Sequence, residues 1–177
     1  EDVNCFDCIR KPLSEEERRE VKGEYPYYGA ISVVDYINSF IFDGDFILFS
    51  EDGANIIDEF GHPALQYVWG KCWVNNHAHI LRTKGVCRLR YFYYWINSRN
   101  MAKYVTGSAQ PKLSQASLKK MIIPLPLLEV QDRILSVITP IDDRIKENTR
   151  INENLLEQAQ TLYREMFVNT QNESRKE

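Results

Sequence analysis

Hydrophobic and polar residues follow several distinct patterns along the 177 residues of the chain. After Tyr25, short apolar runs alternate with Gly, Pro, Asn and Asp, which is typical of strands joined by turns. Ahead of this region, Ser14 followed three residues later by Glu17 predicts a capping box and a short charged helix that ends by Gly23. The apolar runs predict four strands, at residues 30–34, 46–49, 67–73 and 78–81.

The region after these strands mixes helical and extended patterns. Apolar residues at helical spacing predict a helix of about three turns over residues 88–99. Small and polar residues predict a loop over 106–117. Residues 121–128 are apolar but contain Pro124 and Pro126, so we expect an edge strand there.

The last part of the chain has the clearest periodicity. Apolar residues recur at steps of three and four from Val130 to Met166, which predicts a long amphipathic helix that Pro140 bends or divides. A heptad pattern with two central asparagines favours a coiled coil with a partner helix, although the helix could instead fold back on its own domain. The predicted seam consists of Ile141, Ile145, Asn148, Asn152, Leu155, Ala159, Leu162 and Met166.

Composition points to an ordinary globular protein of the cytoplasm. The chain is 44% hydrophobic and 27% charged, and no apolar run reaches the roughly 20 residues of a membrane span. We expect no secretion signal, and therefore reduced thiols at the four cysteines, a cytoplasmic setting and no membrane partner.

Charge is segregated along the chain, although the net charge is only -3. Residues 1–59 carry five Lys or Arg and fifteen Asp or Glu, whereas residues 60–128 carry ten and none. Such a basic segment favours a polyanionic partner, unless folding interleaves it with the acidic first third.

Motifs for catalysis are scarce. No glycine-rich phosphate loop occurs, and the Glu20–Lys22 stretch matches only half of a nuclease signature. Cys5 and Cys8 could combine with Cys72 and Cys87, or with His77 and His79, to hold zinc, but the spacing matches no known finger. We therefore expect no catalytic residues, no metal and no cofactor.

Two polar loops, Asn75–His77 and Gly107–Lys112, could instead read DNA. Amide side chains can bond adenine edges while nearby cations hold phosphates, although turn formation alone would also explain these residues. The candidate DNA-binding residues are Lys71, Asn75, Asn76, His77, Arg82, Lys84, Ser108, Gln110 and Lys112.

These stretches strongly resemble the target recognition domains of type I restriction-modification specificity subunits. The matching residues are 24–30, 43–48, 74–79, 106–114 and 123–126, followed by 129–134 and a helix ending at 163–167. The resemblance implies that the domain reads one half of a bipartite DNA site. It also implies that the helix separates recognition domains and docks modification subunits, which perform methyl transfer. The resemblance further implies that cleavage falls to the restriction subunit, an indirect partner.

We therefore expect an α+β fold with a mixed-sheet recognition domain at 1–128, a helical spacer at 129–167 and a disordered tail at 168–177. Family members usually carry two domains and two helices, so this chain should be half a subunit that forms a homodimer through an antiparallel coiled coil. The predicted dimer contacts are Ile141, Ile145, Asn148, Asn152, Leu155 and Leu162. The alternatives are a protein-interaction module without DNA binding and an enzyme fragment with a zinc or nuclease centre.

Overall fold

The computed structural model describes residues 3–52, 56–107 and 111–169. The chain divides into two compact units, Glu1–Asp132 and Arg133–Glu177. The first unit holds every strand described. The strands are β1 (Val3–Cys5), β2 (Lys22–Tyr28), β3 (Val33–Ile37), β4 (Phe42–Asp43), β5 (Phe46–Ser50), β6 (Leu65–Val68), β7 (Lys71–Val74), β8 (Ala78–Thr83), β9 (Val105–Thr106) and β10 (Lys112–Leu113).

Two four-stranded sheets form the framework of the first unit. The first sheet is antiparallel, with the order β1-β8-β5-β6, and the second is mixed, with the order β3-β2-β7-β4, because β2 and β7 run parallel. The hairpin of β9 and β10 is separate. With the long helix described below, this confirms the expected α+β class.

The core joins residues of both sheets. β5 is buried along its whole length, which explains its unbroken apolar run, and each fully buried aliphatic or aromatic side chain contributes roughly 1.5–3 kcal/mol. The principal apolar cluster consists of Phe42, Phe46, Leu48, Val68, Cys72, Val74, Ala78 and Ile80.

Helices of very different length accompany the sheets. They are α1 (Glu15–Glu20), α2 (Leu89–Asn97), α3 (Gln115–Leu118) and α4 (Leu128–Tyr163), with 3-10 turns at Asp7–Ile9 and Ala102–Tyr104. The capping box of α1 is confirmed, since Glu17 N–H donates to Ser14 Oγ at 3.2 Å and Ser14 N–H donates to Glu17 Oε2 at 2.7 Å. The helix predicted at 88–99 is confirmed as α2.

Two predicted strands have the wrong bounds. The strand expected at 30–34 begins only at Val33, because residues 30–32 form a bend. The strand expected at 67–73 is two strands in different sheets, β6 and β7. Gly70 separates them with φ +79°, a backbone conformation that few residues other than glycine adopt.

The segment before the long helix also differs from its prediction. Residues 121–127 form no strand, because Pro124 and Pro126 lack the N–H groups that a ladder needs. Their carbonyls accept from side chains instead, Pro124 from the Tyr91 hydroxyl at 3.3 Å and Pro126 from Gln131 Nε2 at 2.8 Å. The loop expected at 106–117 contains part of the β9–β10 hairpin and α3.

The predicted long helix is confirmed as α4, which continues through Pro140 and ends in a π-helical turn, Arg164–Asn169. Pro140 therefore does not divide it, although proline leaves the Ser136 carbonyl without its usual helical donor. Most of the predicted disordered tail, from residue 170 onward, lies outside the described residues. No helix among the described residues is both long and apolar enough to cross a membrane.

Candidate nucleic-acid interface

The predicted Asn75–Asn76–His77 stretch forms the turn between β7 and β8. Asn75 N–H donates to the Tyr28 carbonyl at 3.0 Å, and Asn75 Oδ1 accepts from His77 N–H at 2.9 Å. His77 is half exposed, and its Nδ1 lies 2.9 Å from Asp52 Oδ1. Asn75 is therefore engaged in shaping the turn, whereas Asn76 is exposed beside it.

The β9–β10 hairpin lies beside this turn. Asp52 forms a β-bridge with Lys112, and Leu113 N–H donates to the Glu51 carbonyl at 2.9 Å. Glu51 N–H in turn donates to the His77 carbonyl at 2.9 Å. Residues 51–52 thus hold the two polar loops side by side. Ser108 and Gln110, predicted on the loop at 106–117, lie outside the described residues.

Beneath these loops is a group of charged side chains that we call the ion cluster, formed by Asp7, Arg10, Glu51 and His79. Arg10 Nη1 donates to Glu51 Oε2 at 2.8 Å and to the carbonyls of Ala78 at 2.8 Å and Asn76 at 3.1 Å. His79 Nδ1 donates to Asp7 Oδ2 at 2.5 Å, and its Nε2 donates to the Leu113 carbonyl at 2.8 Å. The cluster therefore contacts both loops.

The protonation of the ion cluster follows from these contacts. Burial lowers the pKa of His79, but hydrogen bonds to Asp7, Cys5 and Leu113 outweigh it and raise the pKa to about 10. Burial raises the pKa of Asp7, yet hydrogen bonds from His79 and the Ile80 N–H hold this pKa well below its usual range. At neutral pH the pair is a buried imidazolium with a carboxylate.

A metal centre is the other chemistry that these groups could support. Among the described residues, one group of three potential ligands lies within 4.8 Å, namely Cys5, Asp7 and His79. Both His79 nitrogens carry protons that are donated to protein oxygens, so a metal would have to displace a proton of raised pKa. The hydrogen-bonded ion pair accounts for this arrangement without a metal.

Three of the predicted cations, unlike Lys112, lie away from the turn. Lys71 opens β7 opposite Asp43, with its Nζ 4.6 Å from the centre of the Phe40 ring. Arg82, near the end of β8, lies over the Phe46 ring at 5.7 Å, and Lys84 follows the strand. Because strands advance about 3.4 Å per residue, β8 separates the turn from Arg82 and Lys84 by about 20 Å, and Lys71 lies at the far end of β7 from the turn. The predicted site therefore has two parts.

Folding interleaves the basic middle segment with the acidic first third, because β8 lies between β1 and β5 and β7 lies between β2 and β4. Several acidic residues of the first third pair with basic residues that also belong to the first third, as in Arg10–Glu51, Arg18–Asp35 and Lys22–Asp35. In the middle segment, Lys112 lies 3.8 Å from Glu51 and Arg88 pairs with Asp132. Five of its basic residues lie over aromatic rings, namely Lys71, Arg82, Arg90, Arg99 and Lys103.

A second candidate surface runs along α4. The apolar seam residues predicted for dimerisation are each more than half exposed, and Asn148 and Asn152 are exposed among them. Leu156 and Ile151, which the heptad assignment left out, are exposed as well. The large apolar residues of the predicted seam, all exposed, are Ile141, Ile145, Leu155, Leu162 and Met166.

Comparison with known proteins identifies the family. The sequence model described as the type I restriction modification DNA specificity domain matches residues 2–157. The chain belongs to this family. The specificity domain is 32% identical, over 136 residues, to a putative type I restriction enzyme specificity subunit of Haemophilus influenzae. That match covers 77% of this chain and 34% of the relative.

Solved structures share the fold of the specificity domain. A type I restriction-modification S subunit from M. genitalium superposes with a TM-score of 0.67 at 16% identity, over 94% of this chain and 46% of that one. A chain from a study of complex assembly and conformational transition of the type I R-M system gives 0.59 at 14% identity, over 90% and 41%. The specificity domain thus spans about a third of its curated relative and less than half of each solved chain.

Sequence reasoning did not assign a role to the ion cluster. His79 lies within a stretch that carried the family resemblance, but Asp7, its partner, is 72 positions away. No local pattern marks a pair that forms only when β1 and the turn after it reach β8.

Proposed function

We propose that the chain reads double-stranded DNA sequence-specifically as the specificity component of a type I restriction-modification complex, without catalytic activity or a cofactor of its own. The observation that carries the proposal is the junction at residues 51–52, which holds the turn at 75–77 beside the β9–β10 hairpin. In a family of DNA specificity domains, two adjacent polar loops are suited to base edges in a groove.

The proposed interface divides its work between its two parts. Asn76, His77 and Lys112, with Ser108 and Gln110, would face the bases, while Asn75 shapes the turn. Lys71, Arg82 and Lys84 would hold phosphates, since cations supply affinity that depends on salt rather than on sequence. The roughly 20 Å from the turn to Arg82 and Lys84 corresponds to about six base pairs at 3.4 Å each.

The helix has a separate role in this proposal. We assign residues 1–128 to recognition, 129–167 to a spacer that docks modification subunits, and 168–177 to a tail. The exposed seam of α4 supports antiparallel pairing with the same helix of a second copy, as a coiled coil in a homodimer. The restriction subunit would join through the modification subunits, and the complex would act on DNA in the cytoplasm.

Selection from random duplexes tests the proposal. The full chain, mixed with its modification subunits, should enrich an interrupted palindrome, because two copies related by a two-fold axis present the same loops to inverted half-sites. Binding should also weaken steeply with salt. If no sequence is enriched and the affinity does not change with salt concentration, the chain does not recognise DNA sequence-specifically.

A further inference from the structure

The short segment after β1 contacts both candidate reading loops, although it is part of neither. It comprises the 3-10 turn Asp7–Ile9 and Arg10. Arg10 reaches the first loop, since its Nη1 donates to the Asn76 carbonyl at 3.1 Å and to the Ala78 carbonyl, just beyond the turn, at 2.8 Å. The same nitrogen lies 2.8 Å from Glu51 Oε2, on the residue that joins the loops.

The same segment reaches the hairpin through Asp7. The Asp7 carboxylate accepts from His79 Nδ1, whose Nε2 donates to the Leu113 carbonyl on β10. It also accepts from Gln115 Nε2 at 2.6 Å, on the helix that follows the hairpin. Arg10 Nε donates back to the Asp7 carbonyl at 3.1 Å. The connection from Arg10 to the turn at 75–77 and the connection from Asp7 to the hairpin therefore come from the same turn of backbone.

Charges in the ion cluster are balanced and enclosed. Two carboxylates, Asp7 and Glu51, face two cations, Arg10 and His79, and all four side chains are less than one-fifth exposed. Lys112 Nζ lies 3.8 Å from Glu51 at the rim, and the Cys5 Sγ lies within 4.8 Å of the interacting atoms of Asp7 and His79. Buried ion pairs add little net stability, but their hydrogen bonds are directional and hold partners in one geometry.

We propose that Arg10 is a positioning residue for base recognition, which fixes the turn at 75–77 relative to the hairpin so that both loops meet the DNA in register. The inference rests on the proposed function, because it assigns a geometry to that interface. Contacts to bases tolerate displacements of only about 0.5 Å, so a loosened pair of loops should lose discrimination before it loses affinity for phosphates.

The test compares selection profiles of the full chain with its modification subunits. Arg10→Lys keeps the charge but loses the fork of guanidinium donors, and Gln115→Ala removes one bond to Asp7 while α3 retains its Ser114 cap. Arg19→Lys is the matched control, because Arg19 is an exposed arginine paired to Glu15 on α1.

Arg10→Lys should lower the ratio of specific to random-DNA affinity by about tenfold and flatten base preferences read by both loops. Gln115→Ala should flatten those read by the hairpin. The salt slope of random-DNA binding and the Arg19→Lys profile should stay at wild-type values.

Thermal unfolding identifies variants that fail to fold. If Arg10→Lys is unfolded at the assay temperature, Gln115→Ala, which leaves Arg10 in place, carries the test. Folded variants that keep the wild-type profile would overturn the positioning role. A wild-type chain that selects no sequence would instead refute the proposed function, and this inference with it.

Discussion

The carboxylate of Asp132 accepts two hydrogen bonds from the guanidinium of Arg88, Nε to Oδ1 at 2.7 Å and Nη2 to Oδ2 at 2.8 Å. Within the first unit, this pair joins the residue before α2 to the first turns of α4. Gln131 reinforces the same junction from a fully buried position, where its Oε1 accepts from Arg88 N–H and its Nε2 donates to the carbonyls of Val86 and Pro126.

Gln131→Leu should therefore destabilise the chain far more than Asp132→Asn. The leucine leaves one donor and two acceptors without a partner, which should lower the free energy of unfolding by roughly 2–4 kcal/mol. The Arg88–Asp132 pair is about half exposed, so solvent screens it and its loss should cost much less stability. Urea unfolding of both variants measures the difference, and equal losses would contradict this account of the junction.

Stability should fall as pH rises from 6.5 to 8.5. The pKa of His79 is raised from 6.5 to about 10 in the folded chain, so the folded state keeps a proton that the unfolded state releases. The stabilisation is complete below pH 6.5 and is lost as pH rises toward 10, at no more than about 1.4 kcal/mol per pH unit. Thermal unfolding across this range measures it. His79→Gln should be less stable but should lose this slope, and a variant that retains the full slope would refute the assignment.

Replacing Lys71, Arg82 or Lys84 with Ala should weaken binding to all sequences alike. Removing one cation that holds a phosphate should reduce the slope of log affinity against log salt by about 0.9. Arg88→Gln is the control, because Arg88 is already paired with Asp132 and its replacement should leave the slope unchanged. Affinity for random duplexes at several salt concentrations decides the matter, and unchanged slopes in all three alanine variants would place the phosphate-binding residues elsewhere.

The two asparagines of the turn should behave differently. Asn76→Ala removes an exposed amide and should cost roughly 1–3 kcal/mol at one base position, with little effect on random DNA. Asn75→Ala removes the acceptor that binds His77 N–H, so its main effect should be to lower the thermal stability of the chain. Competition binding with single-base variants of the selected site separates the effects. A uniform loss of affinity in a stable Asn76→Ala chain would count against base reading.

Assembly should depend on the seam of α4. The helix has 36 residues and is about 54 Å long, with an apolar stripe that stabilises the chain only if something covers it. Ile145→Asp with Leu155→Asp should separate the copies by burying unpaired charge, whereas Asn148→Leu with Asn152→Leu should raise stability and loosen register or partner number. Sedimentation at micromolar concentration measures the oligomer. A strict monomer whose helix remains protected would mean that the stripe packs on its own domain.

Elements whose signals are local could be predicted from the sequence. The capping box at Ser14, the strands predicted at 46–49 and 78–81 and the long helix predicted at 129–167 all rest on residues within a few positions of one another. The order of several common motifs along the chain also indicated the family, because motif order is itself a property of the sequence.

Contacts between distant elements were decided only by the tertiary structure. Residues 67–73 form one apolar run, but the conformation of Gly70 sends its halves into different sheets. The candidate DNA-binding residues formed one predicted set, yet β8 places the turn and Arg82 toward opposite ends of a strand. Asp7 and His79 meet across 72 positions because strand pairing brings β1 beside β8. Hydrophobic periodicity constrains the faces of each element but not its neighbours, and so the ion cluster that joins the two loops arises only when the sheets assemble.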